Sequence, residues 1–216
     1  MSRTFLKQAG PREVEALGLL GPPIVKVVRT TPEGLLLERV LPGESIADYD
    51  DDVATAELAL AMQSMWRPVP QTCGLPDVRR EARALFEHDL PLAEEARAVL
   101  ERLLDTAPEP VVLHGDLHHG NLLRGPYGWV AIDPHGLVGE PAYDVGPLFF
   151  NPLGLDVAHL IERRLDVLVA VLGLDRDRLR RWGFVRAVLS AAWTWEEDGY
   201  VDERVLGIAR VLLGRC

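Results

Sequence analysis

Val111-Val-Leu113-His114-Gly-Asp116-Leu-His118-His119-Gly-Asn121, with Asp133 following in Trp129-Val-Ala-Ile132-Asp133-Pro-His135-Gly136, is the stretch that decides how this chain folds. Val111–Leu113 is apolar and β-branched and reads as a strand, so residues 114–120 form a polar loop leaving a strand end. Asn121-Leu-Leu123 and Trp129–Ile132 read as two further short strands separated by tight turns. That arrangement brings Asp116, Asn121 and Asp133 to one edge of a small hairpin. Two carboxylates and an amide offer hard oxygen ligands, which suit Mg²⁺ rather than zinc. A magnesium site with so few protein ligands takes the remainder from phosphate oxygens and water. The plain alternative is turn chemistry, since Asp and Asn both favour turns.

On the N-terminal side the chain reads as strands with one short helix. Thr4–Lys7 is an extended run, Pro11–Leu20 a brief helix carrying Glu13 and Glu15, and Ile24–Arg29 with Gly34–Glu38 a hairpin around Thr-Thr-Pro-Glu-Gly. Leu41-Pro42-Gly43 punctuates the chain. Asp50-Asp51-Asp52 then suits the positive end of a helix running from Val53 to Trp66. A second long helical stretch is expected over roughly Asp77 to Asp105. From about Leu155 the rest is helical, with Trp182, Phe184, Trp193 and Trp195 in one segment. The expected layout is α+β in two lobes. Residues 1–41 make a small β-rich N-lobe of three strands and a helix, and 42–216 a larger, mostly helical C-lobe holding the β-insert.

The bulk numbers permit this and restrict the partners. At 216 residues the chain can bury a core, and 48% hydrophobic with 26% charged residues is ordinary for a folded protein. The net charge of −10 argues against a nucleic-acid backbone as partner. No apolar run suggests a membrane span or a signal peptide. Cys73 and Cys216, the only cysteines, lack metal-type spacing, which fits a reducing cytoplasm.

The pattern H-x-D-x-x-x-x-N followed by a second Asp near a glycine resembles the catalytic and metal loops of the protein-kinase-like superfamily. The form HGDLHHGN, with Ile132-Asp-Pro and then G-x-x-G-E-P-x-Y-D-V ending at Val145, is similar to the aminoglycoside phosphotransferases. Leu35–Gly43 and Ala187–Gly199 resemble the hinge and C-terminal helix of the streptomycin and hydroxyurea phosphotransferase branch. The resemblance runs from about residue 5 to the C-terminus. It implies an ATP- and Mg²⁺-dependent transfer of a phosphoryl group to a small-molecule hydroxyl. Asp116 would accept or orient the hydroxyl proton, and Asn121 and Asp133 would hold Mg²⁺. His114 would steady the loop, with Asp144 accepting backbone N–H bonds from it. Lys7 would be the phosphate-binding lysine, Glu13 its helical partner, and Glu38 to Val40 the backbone that pairs with adenine. Asp133-Pro-His-Gly136 departs from the Asp-Phe-Gly of protein kinases, so the phenylalanine switch of that family is not carried over.

Only six residues precede Lys7, and Gly18, Gly21 and Gly34 form no G-x-G-x-x-G pattern. The glycine-rich strand–loop–strand of the superfamily is therefore expected to be missing and ATP binding to be weak. The strand at Lys7 would then be an open edge suited to an edge-strand dimer.

For the acceptor, Trp195, Glu196, Glu197 and Asp198, beside Trp193 and with Trp182 and Phe184 earlier on the helix, suggest an aromatic wall with clustered carboxylates. Such a wall suits a polyhydroxylated cation; a core-facing stripe with a solvated acidic end is the competing reading. His118, His119 and His135 are either substrate contacts or polar loop residues. Two other functions compete with this one. A metal-dependent hydrolase would use His114, Asp116, His118 and His119 and leaves Asn121 and Asp133 unexplained. The other is a truncated, catalytically impaired kinase-like binding module.

Overall fold

The computed structural model describes residues 4–214; Cys216 lies outside them. The chain begins with strand β1 (Thr4–Lys7), helix α1 (Pro11–Leu19), and the hairpin of β2 (Val27–Thr31) and β3 (Gly34–Glu38). These strands form an antiparallel sheet in the order β1-β3-β2, with Thr4 opposite Glu38 and Lys7 opposite Leu35. β1 is thus one of the two edges of this sheet. Alternation along β3 sends Leu35 and Leu37 inward, where they meet Leu17 of α1 and Val25 in a small separate core.

The expected strand at Ile24–Arg29 starts later, because residues 24 and 25 pair elsewhere. Ile24 bridges Ala131, and the Val25 N–H donates to the Ala131 carbonyl at 2.8 Å. This splice fastens the small sheet to the hairpin that carries the motif.

Helix α2 (Asp51–Met65) starts where Asp50 accepts the N–H groups of Asp52 and Val53 at 3.1 and 3.4 Å. It leads into β4 (Arg67–Pro68). The single helix expected over 77–105 is instead α3 (Val78–Glu81), α4 (Ala84–Glu87) and α5 (Ala93–Asp105). Pro91 lacks an N–H for the helix ladder, and Leu92 takes φ +67°, so the chain cannot continue as one helix. α5 buries Ala93, Ala96, Leu100 and Leu103, one stripe at helical spacing.

The motif strands also divide differently from the reading above. β5 (Val111–Leu113) is central in a sheet ordered β4-β5-β8, whereas β6 (Leu122–Gly125) and β7 (Gly128–Ala131) form a separate two-stranded sheet, flanked by single bridges to Ser45 and Ile24; β8 (Leu137–Gly139) has no counterpart in the sequence pattern. The loop after β5 turns the chain out of one sheet and into the other. A buried run of 3₁₀ turns over Pro141–Phe149 then packs on α7 (Arg176–Asp198), the middle one of three closing helices with α6 (Ile161–Leu172) and α8 (Glu203–Leu213). Arg164 of α6 is fully buried; its Nη2 pairs with Asp51 at 2.5 Å, and Nη1 donates to the Asn151 carbonyl at 2.7 Å. Among the described residues, no helix is long and apolar enough to cross a membrane.

Candidate active site

The loop that leaves β5 is held from beneath by buried side chains. His114 is fully buried; one ring nitrogen, Nδ1, accepts the Asp116 N–H at 3.3 Å, so the other, Nε2, carries the proton and donates to the Ile132 carbonyl at 3.0 Å. Burial pushes its pKa down to about 4, so the ring is neutral near pH 7. Asp144, also buried, accepts the Gly115 N–H at 2.7 Å, the His114 N–H at 3.2 Å and the Trp66 indole N–H at 2.9 Å. Burial raises the Asp144 carboxyl pKa above its ordinary value, against the pull of those donors. From the side, Arg186 of α7 donates to the Gly115 carbonyl at 3.0 Å and to the Tyr143 hydroxyl at 2.7 Å. Gly115 sits at φ +83°, and a Cβ there would lie 2.3 Å from Leu137 Cδ2, so the turn needs glycine twice over.

On this base the structure brings together five of the residues singled out from sequence. The Asn121 side-chain amide donates to the Asp116 carbonyl at 2.9 Å, and the Asn121 carbonyl accepts the Ile132 N–H at 3.0 Å, which sets Asp133 just beyond. Asp133 takes φ +56°, a left-handed conformation that Asp tolerates and that recurs at functional sites. Its Oδ1 accepts from Lys7 Nζ at 2.8 Å, and the same ammonium pairs with Glu13 Oε1 at 2.6 Å. Partial burial pulls the Lys7 pKa down, but the hydrogen bonds to Asp133 and Glu13 outweigh it and leave the value raised. The side chains of Asp116 and Asp133 stay about half open, at 43% and 48% exposure.

Two cavities adjoin the loop 133–136, one lined by Asp133 together with Lys7 and the other by His135. One, of about 650 Å³, has an apolar interior that includes Val25, Leu37, Leu123 and Ile132 and opens at Lys7 and Asp133. The segment from Glu38 to Gly43 forms its rim, which places Glu38 and Val40 there. The Glu38 N–H is already donated to the Lys26 carbonyl at 2.9 Å, so that donor is closed to a ligand.

The other, of about 860 Å³, lies on the α7 side and includes Arg12, Glu15, Glu81, His135, Trp193 and Glu197 in its lining. Ser190, Trp193, Thr194 and Glu197 share one helical face, which is why these α7 residues reach it. The acceptor residues expected from sequence therefore separate. Glu197 lines the cavity, whereas Trp195 and Asp198 lie off that face. Glu196 turns to His88 at 3.0 Å and Arg83 at 3.5 Å. Trp182 and Phe184 are core residues, 0% and 1% exposed, and supply no wall. The carboxylates of this cavity are balanced locally, since Arg12, Arg80 and Arg83 stand among them.

The histidines divide as well. His135 lines the second cavity, and His118 Nε2 lies 3.8 Å from Asp116 Oδ2. His119 is buried, with neither ring nitrogen hydrogen-bonded, and burial pushes its pKa down to about 3. Sequence reasoning passed over Arg12, Glu81 and Arg186. Arg186 had a signal, a lone charge inside the apolar run Phe184–Ala192; Arg12 and Glu81 looked like ordinary surface charges.

Comparison with known proteins identifies the family and the fold. A family model described as aminoglycoside/hydroxyurea antibiotic resistance kinase matches residues 21–199. The streptomycin 6-kinase of Streptomyces glaucescens is 31% identical, covering 99% of this chain and 78% of that protein. The hydroxyurea phosphotransferase of Kitasatospora aureofaciens is 39% identical over 68% of this chain and 41% of its own length. Among solved structures, a choline/ethanolamine kinase family protein from Mesorhizobium loti superposes with a TM-score of 0.70 at 14% identity, covering 99% of this chain and 82% of that one. That likeness shows a kinase-like fold, a small sheet lobe beside a larger helical part. With the family model spanning most of the chain, this protein belongs to the aminoglycoside/hydroxyurea antibiotic resistance kinases.

Proposed function

We propose that this chain transfers the γ-phosphoryl group of ATP to a hydroxyl of a small molecule, an aminoglycoside such as streptomycin or a related compound. The observation that carries the reading is the Lys7 ammonium, held 2.6 Å from Glu13 and 2.8 Å from Asp133 at the mouth of an apolar cavity. An adenine-sized ring fits that cavity, with the backbone at Glu38 to Val40 along its edge. Lys7 then faces the phosphates as a fixed positive charge.

Asn121 and Asp133 suit a magnesium ion. The Asn121 amide N–H₂ is turned to the Asp116 carbonyl, which leaves its Oδ1, and Lys7 holds Asp133 through Oδ1, which leaves Oδ2. Bound there, Mg²⁺ supplies neutralisation of charge on the β- and γ-phosphates. Asp116, half exposed on the loop that leaves β5, accepts the proton of the attacking hydroxyl as the acceptor oxygen bonds to the γ-phosphorus and the bond to the β–γ bridging oxygen breaks. The second cavity receives the acceptor. Its interleaved carboxylates and guanidinium groups beside Trp193 suit a polyhydroxylated molecule carrying charged substituents. The names of the streptomycin and hydroxyurea relatives support the choice of first acceptors to try.

The test is calorimetry of ATP·Mg²⁺ with the chain and its Asp133→Ala variant, followed by transfer of labelled phosphate to streptomycin. Binding that is lost on Asp133→Ala supports the nucleotide site. Absence of binding by the parent chain sinks the reading.

A further inference from the structure

Helix α1 reaches two sites at once. Glu13 extends to Lys7 at the nucleotide cavity. Its neighbour Arg12 extends the other way: Nε donates to the Gly136 carbonyl at 2.6 Å, and Nη2 lies 2.8 Å from Glu81 Oε2. Glu81 is the last residue of α3, with its side chain only 9% exposed, and its Oε1 lies 3.5 Å from His135 Nε2 in the wall of the second cavity. The loop 133–136 is thereby pressed against α1. Gly136 sits at φ +75°, and a Cβ there would come within 2.5 Å of Ala16 Cβ, so the loop packs on α1 as closely as only glycine allows.

Two features mark the Arg12–Glu81 contact as an adjustable joint. Without Arg12, Glu81 would keep a largely buried carboxylate with no guanidinium to neutralise it, an expensive arrangement. Yet Arg12 Nη2 is buried and makes no hydrogen bond, so the guanidinium meets Glu81 as a charge and not through an aligned N–H. A ligand in the second cavity that engages Glu81 or His135 therefore acts on the group that seats α1 against the 133–136 loop.

We propose that Arg12 and Glu81 are positioning residues that couple the acceptor cavity to the Lys7–Glu13–Asp133 cluster, so that acceptor and nucleotide strengthen each other's binding. This rests on the function proposed above. Neither residue lines the nucleotide cavity, so a purely local role leaves nucleotide affinity unchanged. Coupling of this kind is reciprocal and ordinarily amounts to about 5-fold or more in affinity.

The experiment measures ADP·Mg²⁺ affinity by calorimetry, with and without saturating streptomycin, for the parent chain, Glu81→Gln, Arg12→Lys, Arg12→Met and the double variant Arg12→Met/Glu81→Gln. Melting temperatures are recorded alongside. The expected result is that Glu81→Gln and Arg12→Met each weaken ADP·Mg²⁺ binding by about 5-fold or more, that Arg12→Lys recovers part of it, and that the double variant is no worse than the singles. Streptomycin tightens nucleotide binding in the parent chain and does so no longer in Glu81→Gln. Unchanged affinity in folded Glu81→Gln and Arg12→Met overturns the proposal even if melting temperatures fall. So does streptomycin binding that leaves nucleotide affinity unmoved. A parent chain that binds no ADP·Mg²⁺ overturns the proposed function first, and this coupling with it, which keeps the two failures distinct.

Discussion

The wall built from residues 114–144 and the wall built from α7 face the same site but are held in different ways. In the first, the backbone of the loop is tied to side chains that water does not reach: His114, Asp144 and Arg186 are 0%, 0% and 1% exposed, and all three hydrogen-bond to it. In the second, the cavity is edged by charged side chains at the surface, such as Arg83, which is 59% exposed and pairs with Glu196. Buried hydrogen bonds are costly to break and fix atoms to within tenths of an ångström, whereas exposed ion pairs are individually weak and easily re-formed. The chemistry thus sits on a rigid base. On the proposed function, the acceptor is chosen by a rim of surface charges that can change residue by residue without disturbing the fold.

The contrast yields graded predictions. Asp116→Asn should lower kcat for phosphoryl transfer about 10²–10⁴-fold while leaving ADP·Mg²⁺ affinity nearly intact, because only the proton acceptor is lost. A variant as active as the parent would remove Asp116 from the mechanism.

Asp144→Ala should cost stability of about 3 kcal/mol, read from the urea midpoint, because three N–H donors lose a buried acceptor together. Loss below about 1 kcal/mol would mean that the loop is not held as described.

The same rigid base predicts acid sensitivity. Unfolded, His114 titrates at its ordinary 6.5; in the fold, burial holds it near 4. Between those values the unfolded state takes up a proton that the folded state refuses. The His114 contribution is therefore fully present above pH 6.5 and shrinks as the pH falls toward 4, by up to about 3 kcal/mol. Urea unfolding at a series of pH values measures it, and a flat profile across that window contradicts it.

Smaller effects belong to the α7 wall. Glu197→Gln should raise the acceptor KM about 3- to 10-fold with kcat little changed, the loss expected of one charged hydrogen bond at a solvent-facing site. Trp195→Ala and Asp198→Asn, off the cavity face of the same helix, should shift stability by less than about 0.5 kcal/mol and leave the acceptor KM unchanged. A KM effect at Trp195 as large as that at Glu197 would erase the distinction between the two faces.

The sequence by itself determined the parts whose physics is local. Short β-branched runs made strands, Asp50 capped α2, and the tight turn between β6 and β7 folds the segment back so that Asn121 and Asp133 flank the two ends of one hairpin. Lys7 and Glu13 could be placed only through the resemblance, because a lysine and a glutamate six apart look alike on any surface; the ammonium's reach to Asp133, 126 residues away, is a tertiary fact. The same holds for α7. Its aromatic and acidic residues read as one wall, yet helix α7 runs past α5, α8 and the 3₁₀ segment, so neighbours on several sides divide its faces. Trp182 went to the core, where its indole N–H donates to Glu140, while Trp193 went to the cavity under Arg186, whose guanidinium lies 5.0 Å from its ring. Burial is decided by what packs against each face, and a helix carries no record of its neighbours in its own periodicity when it is buried on more than one side. That is why Asp116, Asn121 and Asp133 were legible in the chain, and why Arg12, Glu81 and the side of α7 that lines the second cavity emerged only when the segments were packed together.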